Sequence, residues 1–249
     1  MNTFNRHSLK IALAAPLALL LAACGGDTGE IEEGDAIAAI PAPDGSNWGD
    51  TVTVSEYDGY VLGNPDAPIK LVEYASHTCG ACAAFAATAK ESIKEYVATG
   101  VVSFEQRNLV LNPIDLSIAQ IVRCGPKESM QPLSDQTWAN LNMIFANIEA
   151  NGAAYEQAGS LPVDQRFVQI AEAAGLIDFY AARGLSADQQ RECLSDGEAI
   201  EKIANNSTEQ GQEFGITGTP TFLLNGRKID TNRWTDIEPM LQRAGARQE

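Results

Sequence analysis

Cys79-Gly80-Ala81-Cys82 follows directly on the apolar run Ile69-Lys70-Leu71-Val72-Glu73-Tyr74-Ala75. This pair restricts the fold more than any other feature of the chain. One helical turn between two cysteines brings their sulfurs within bonding range without backbone rearrangement. Placed where a strand-like run gives way to a helix-like one, such a pair is a redox signal. About 140 residues later comes Gly215-Ile216-Thr217-Gly218-Thr219-Pro220-Thr221-Phe222. Cis peptide bonds are essentially confined to X-Pro, and a Gly-rich Thr-Pro entering a strand is where one is expected. The alternative is a trans proline opening an edge strand.

The rest of the chain supplies a context. Thr51 to Val54 reads as a short strand by its β-branched content, and Gly63-Asn64-Pro65-Asp66-Ala67-Pro68 as a turn cluster. Ile69 to Ala75 reads as a buried strand. Ala81 to Ala98 is Ala-rich with helical spacing, stopped at Gly100, and Val101 to Leu111 reads as a further strand ended by Asn112-Pro113. Residues 114–196 are helical in pattern and too long for a loop. A helix over about Glu198 to Glu213 leads to Gly215. Thr221 to Leu224 and Arg227 to Ile229 flank the two-residue turn Asn225-Gly226, and Trp234, Ile237, Met240 and Leu241 mark a last helix. The order is β-α-β, helical block, α, β-β-α. With the cysteine pair and the Thr-Pro, it resembles the thioredoxin superfamily, in its DsbA-like branch, over about residues 55–245. The resemblance implies an α/β thioredoxin-like fold with an inserted helical subdomain. Its first half covers 51–113, the insertion 114–196 and the second half 197–249.

The N-terminus speaks to location. Arg6 and Lys10 precede the apolar stretch Ile11 to Ala23, a basic-then-apolar pattern typical of a secretory signal and short for a membrane span. Leu21-Ala22-Ala23-Cys24-Gly25 looks like a bacterial lipobox. Residues 1–23 are then a signal peptide, and Cys24 the lipidated first residue of the mature chain. The alternative is an ordinary signal peptide with an incidental thiol at Cys24. By the sorting rule the family resemblance brings, Gly25 after the lipid cysteine suggests the outer membrane. Residues 24–50 carry seven acids among Gly, Ala and Pro and suit an extended, solvated tether. After residue 23 the chain has 15 basic and 33 acidic side chains, a net −18. Such a surface repels nucleic acid and anionic lipid.

With Cys24 set aside, four cysteines remain: Cys79, Cys82, Cys124 and Cys193. Three pairings are possible. The motif favours Cys79 with Cys82, which leaves Cys124 with Cys193 as a structural staple worth roughly 3–4 kcal/mol in the chain-entropy model. A second redox pair, or two free thiols, is the rival reading. A structural zinc needs four ligands, and only His77 and one Cys-x-x-Cys are available. No metal and no cofactor are expected.

The attacking species in disulfide exchange is a thiolate, which the N-terminus of a helix favours. Cys79 should take that position, exposed, with Cys82 more buried and able to resolve the mixed disulfide. A cis Pro220 would set the Thr219 backbone beside the pair, where a substrate chain could add as a strand. DsbA-like proteins carry a glutamate at the position of Glu73, and the resemblance implies a proton relay towards the buried cysteine; desolvation would raise its pKa towards neutrality. The alternative is an acid on an exposed strand face. His77 could add positive charge near the Cys79 thiolate; the favoured reading is an exposed polar residue at the rim. Gly80-Ala81 differs from the Pro-His often found in this branch, carries neither charge nor ring, and implies a less oxidising pair.

These readings converge on a thiol:disulfide oxidoreductase facing the periplasm of a bacterium and lipid-anchored in its envelope. It would act on unfolded or reduced secreted proteins and exchange electrons with a membrane redox partner. Oxidase is the expected direction, with reductase or isomerase as alternatives at the same site. A non-enzymatic thiol metallochaperone or binding module is the alternative from another class. Isomerases of this group dimerise through an extra N-terminal domain; residues 25–50 are too few for one, which ranks isomerase last. A monomer is expected.

Overall fold

In the computed structural model, which describes residues 33–246, two strands precede the apolar run. β1 (Val52–Val54) and β2 (Tyr60–Gly63) pair antiparallel across a turn in which Asp58 takes a positive φ. β2 is absent from the sequence reading: it carries neither the β-branched run that marks β1 nor a turn dipeptide like Asn225-Gly226. β3 (Ile69–Ala75) and β4 (Val102–Asn108) pair in parallel, joined by the crossover helix α1 (Gly80–Ala98). β3 is buried on both faces. Leu71 packs into the main core with Phe85, Ala89 and Ile93 of α1, while Val72 and Tyr74 pack opposite with Ile216 and Leu223. A parallel strand covered on both sides reads as a nearly continuous apolar run rather than an alternation.

The helical block comprises α2 (Pro113–Ile121), α3 (Met130–Ala139), α4 (Leu141–Ala150), α5 (Gly152–Ala158), α6 (Val163–Ala173), α7 (Leu176–Ala181) and α8 (Ala187–Leu194). Asn112 starts it as an N-cap, accepting from the Asp115 amide at 2.9 Å, with Pro113 in the first turn. α9 (Gly197–Glu213) returns the chain to the sheet. β5 (Thr221–Leu224) and β6 (Arg227–Ile229) turn at Asn225 and Gly226, both at positive φ, and α10 (Trp234–Arg243) closes the domain. The strand order is β1-β2-β4-β3-β5-β6, with β5 antiparallel to β3. This is the thioredoxin-like α/β arrangement with helices inserted after β4. Among the described residues no helix is long and apolar enough to cross a membrane.

The expected tether over 24–50 needs correction for its described part. Gly34 donates to the Arg243 carbonyl, Ile37 to Gly245 and Ile40 to Thr99, at 2.7–3.0 Å. Ile37 and Ile40 pack against the main core, and Trp48 Nε1 donates to the Ile40 carbonyl at 2.8 Å. The segment is a strap laid across the ends of α10 and α1. It can lie this close because Gly100, at φ +72°, has no side chain: a Cβ there would sit 2.4 Å from the Ile40 oxygen. Cys24, the signal segment and the lipobox fall outside the described residues.

Candidate active site

Cys79 is the N-cap of α1. Its backbone is still extended from the strand (φ −88°, ψ 117°), and its Sγ accepts from the Cys82 amide at 3.3 Å. The same sulfur donates to the Thr219 carbonyl oxygen at 3.3 Å, across 140 residues of chain. The Thr219–Pro220 peptide is cis. The fold therefore brings together the two sequence features that the chain holds furthest apart. Cys79 is partly exposed, and a Cβ built on the adjoining Gly80 would meet open space. Cys82 is fully buried beside Ala75 and Trp138. The two cysteines carry separate thiols in this structure. Burial pushes the Cys82 thiol far up, with the nearby Glu73 adding to the effect.

Glu73 is 2 % exposed in the middle of β3. Desolvation, with smaller contributions from Asp135 and then Cys79, pushes its carboxyl up to about 8. Its Oε1 has no hydrogen-bond partner. A carboxyl in these surroundings is mostly protonated at neutral pH. It also lines a cavity of about 650 Å³ between α1, α3 and the sheet.

The short segment between β3 and Cys79 is fixed by the helical block. Trp138 Nε1 donates to the Ser76 carbonyl at 3.0 Å, and the His77 amide donates to Asp115 Oδ1 at 2.8 Å. His77 Nε2 and Ser134 Oγ are 2.8 Å apart, and the imidazole stacks on Trp138 at 5.7 Å. Asn112 Nδ2 donates to Thr78 Oγ1 at 2.8 Å. His77 is thus not the rim residue the sequence suggested; α2 and α3 cover it completely. Asp115 escaped the sequence reading. It accepts from both His77 N and Leu111 N, and its only signal was the Asn112-Pro113-x-Asp115 helix start. Cys124 and Cys193 form a disulfide that ties the segment after α2 to α8.

Comparisons with known proteins fit this geometry. A family model described as thioredoxin matches residues 55–243. A Rickettsia bellii relative, provisionally named a protein-disulfide oxidoreductase, is 25% identical over 195 residues, which cover 78% of this chain and 67% of that one. A Rickettsia typhi relative with the same kind of name is 23% identical and covered over 61% of its length. The chain thus spans about two thirds of the length of these relatives. A protein-disulfide isomerase from Novosphingobium aromaticivorans superposes with a TM-score of 0.69 at 29% identity, over 74% of this chain and 96% of that one. Wolbachia pipientis alpha-DsbA1 superposes with a TM-score of 0.59 at 22% identity, over 76% and 92% of the two chains, which speaks for the fold alone.

Proposed function

This chain belongs to the thioredoxin family, and from that premise we propose that it is a thiol:disulfide oxidoreductase that forms disulfides in reduced secreted proteins. The observation that carries the reading is the contact of one sulfur, Cys79 Sγ, with both the Cys82 amide and the Thr219 carbonyl. In the oxidised enzyme a substrate thiolate attacks Cys79 Sγ. The Cys79–Cys82 bond breaks, and Cys82 leaves with the electron pair and takes a proton. A second substrate thiolate then attacks the substrate sulfur of the mixed disulfide and expels Cys79. The substrate loses two electrons and the enzyme gains them. The Cys82 amide, which donates to Cys79 Sγ in the dithiol state, is placed to donate to that sulfur as it leaves. Thr219, held by the cis Pro220, offers backbone groups beside the reacting bond for an added strand of substrate. Glu73, protonated at neutral pH and beside Cys82, is the proposed proton donor to the leaving Cys82.

The site residues of this reading are Cys79 and Cys82 as the redox pair, with Thr219, Pro220 and Glu73 assisting. Cys124–Cys193 serves as a structural staple. A periplasmic location with lipid attachment at Cys24 is proposed from the leader sequence, as are a monomeric state and a membrane protein that reoxidises the pair. Cys79→Ser should abolish disulfide transfer to a reduced peptide while the fold persists; transfer that survives would sink the reading. The direction is tested by equilibrating the pair against glutathione and trapping free thiols. A potential well above about −200 mV, towards roughly −120 mV, fits an oxidase, and one near about −270 mV a reductase.

A further inference from the structure

The cavity beside Glu73 has two unlike ends. At the inner end Glu73 presents a buried oxygen with no partner. At the outer end Asp135, on α3, forms an ion pair with Lys90 of α1; both are partly exposed, at 18% and 31% of their side-chain surface. Gln106 and Gln131 add polar wall between the ends. Most of the wall is apolar, but these polar groups and a volume of about 650 Å³ give water both room and hydrogen-bond partners along the side that carries Glu73 and Asp135. Cys82 itself is sealed from solvent at 0% exposure, so any proton it exchanges must come through a neighbour. The described charged groups that share this cavity with Asp135 are Lys90, Glu91, Lys94 and Glu95 on α1, Glu73 on β3, Asp50 before β1 and Glu128 in the turn before α3. Those around Glu73 are Asp135 and the two thiols.

We propose that this cavity is the proton route from solvent to the active site, and that Asp135 is its positioning residue, passing protons between bulk water and Glu73. The inference rests on the oxidoreductase reading above. As Cys82 leaves the disulfide with its electron pair, Glu73 gives it a proton and becomes a carboxylate. Asp135 and the water of the cavity return a proton to Glu73. In the reverse direction Cys82 gives its proton to Glu73, which passes it outward. Burial raises the Asp135 carboxyl from its ordinary value, opposed by Lys90, which moves it towards the range where it can exchange protons with Glu73.

The test follows the oxidised protein as it is reduced by a selenol-bearing peptide, ionised throughout the pH range so that only the enzyme titrates. Wild type should slow as pH rises through about 8, where Glu73 loses its proton. Asp135 raises the Glu73 value, so Asp135→Asn should move that inflection down by up to about one unit. It should also slow the plateau by roughly tenfold, less than the hundredfold or more of a direct acid. Asp135→Glu should restore both. In a Glu73→Gln background, which lacks the inflection, Asp135→Asn should add nothing. An inflection that stays put in Asp135→Asn, or equal slowing in the Glu73→Gln background, overturns the route. Absence of any exchange in wild type would instead overturn the oxidoreductase reading itself.

Discussion

Glu73 carries a proton that the unfolded chain would have lost. Its folded value of about 8 stands against 4.5 for the free side chain. Between those values the native state binds the extra proton, so stability of the reduced protein falls as pH rises from about 4.5 to about 8. Glu73→Gln removes this penalty. The variant should gain on wild type by a few kcal/mol at pH 8 and by much less at pH 5, read from urea unfolding at both. Asp115 is the opposite case, a buried acid whose oxygens are used. Asp115→Ala strands the His77 and Leu111 amides and should cost roughly 2–4 kcal/mol in the same assay. Glu73 was legible in the sequence because a carboxylate inside an apolar strand is conspicuous. Asp135, 62 positions later in a different element, was not, because only the packing of α3 on α1 brings it near. The same packing turned His77 from an apparent rim residue into a core one.

The elements divide by how local their causes are. β3, α1, the β5–β6 hairpin and α10 were legible to within a residue or two. Each is set by its own apolar period, a cap or a turn dipeptide. β2 was not, since its four residues become a strand only through β1 on one side and β4 on the other. The helical block was legible as a whole, yet what it does for the thiols was not: α2 and α3 hold the Ser76–Thr78 segment. The Cys124–Cys193 bond tests how far that block stands apart. It spans 69 positions and lies wholly within the insertion. Replacing both cysteines with alanine should cost roughly 3–4 kcal/mol in the chain-entropy model and leave the Cys79–Cys82 potential unchanged. A shifted potential would tie the staple to the redox site.

Across the whole molecule, the composition of residues 24–50 concealed the strap. Acids, glycines and prolines read as solvated chain, and three residues, Ile37, Ile40 and Trp48, make the apolar and side-chain contacts that dock it. Gly100→Ala places a Cβ against the Ile40 oxygen at a φ that L side chains rarely adopt. It should cost about 1–2 kcal/mol or more and expose the strap to limited proteolysis, while exchange at Cys79 continues. The strap meets α1 at its C-terminal end, and the thiols sit at the N-terminal end of the same 19-residue helix, about 28 Å away. With Cys24 acylated as proposed, at most about 36 Å of chain separates the lipid from the docked strap at Gly34. The lipid would then hold the strap end of the domain, not the thiol end, to the bilayer. Such an attachment leaves the thiols open to clients from the aqueous side, and a partner in the same bilayer would meet them only when the domain tips over on its stem.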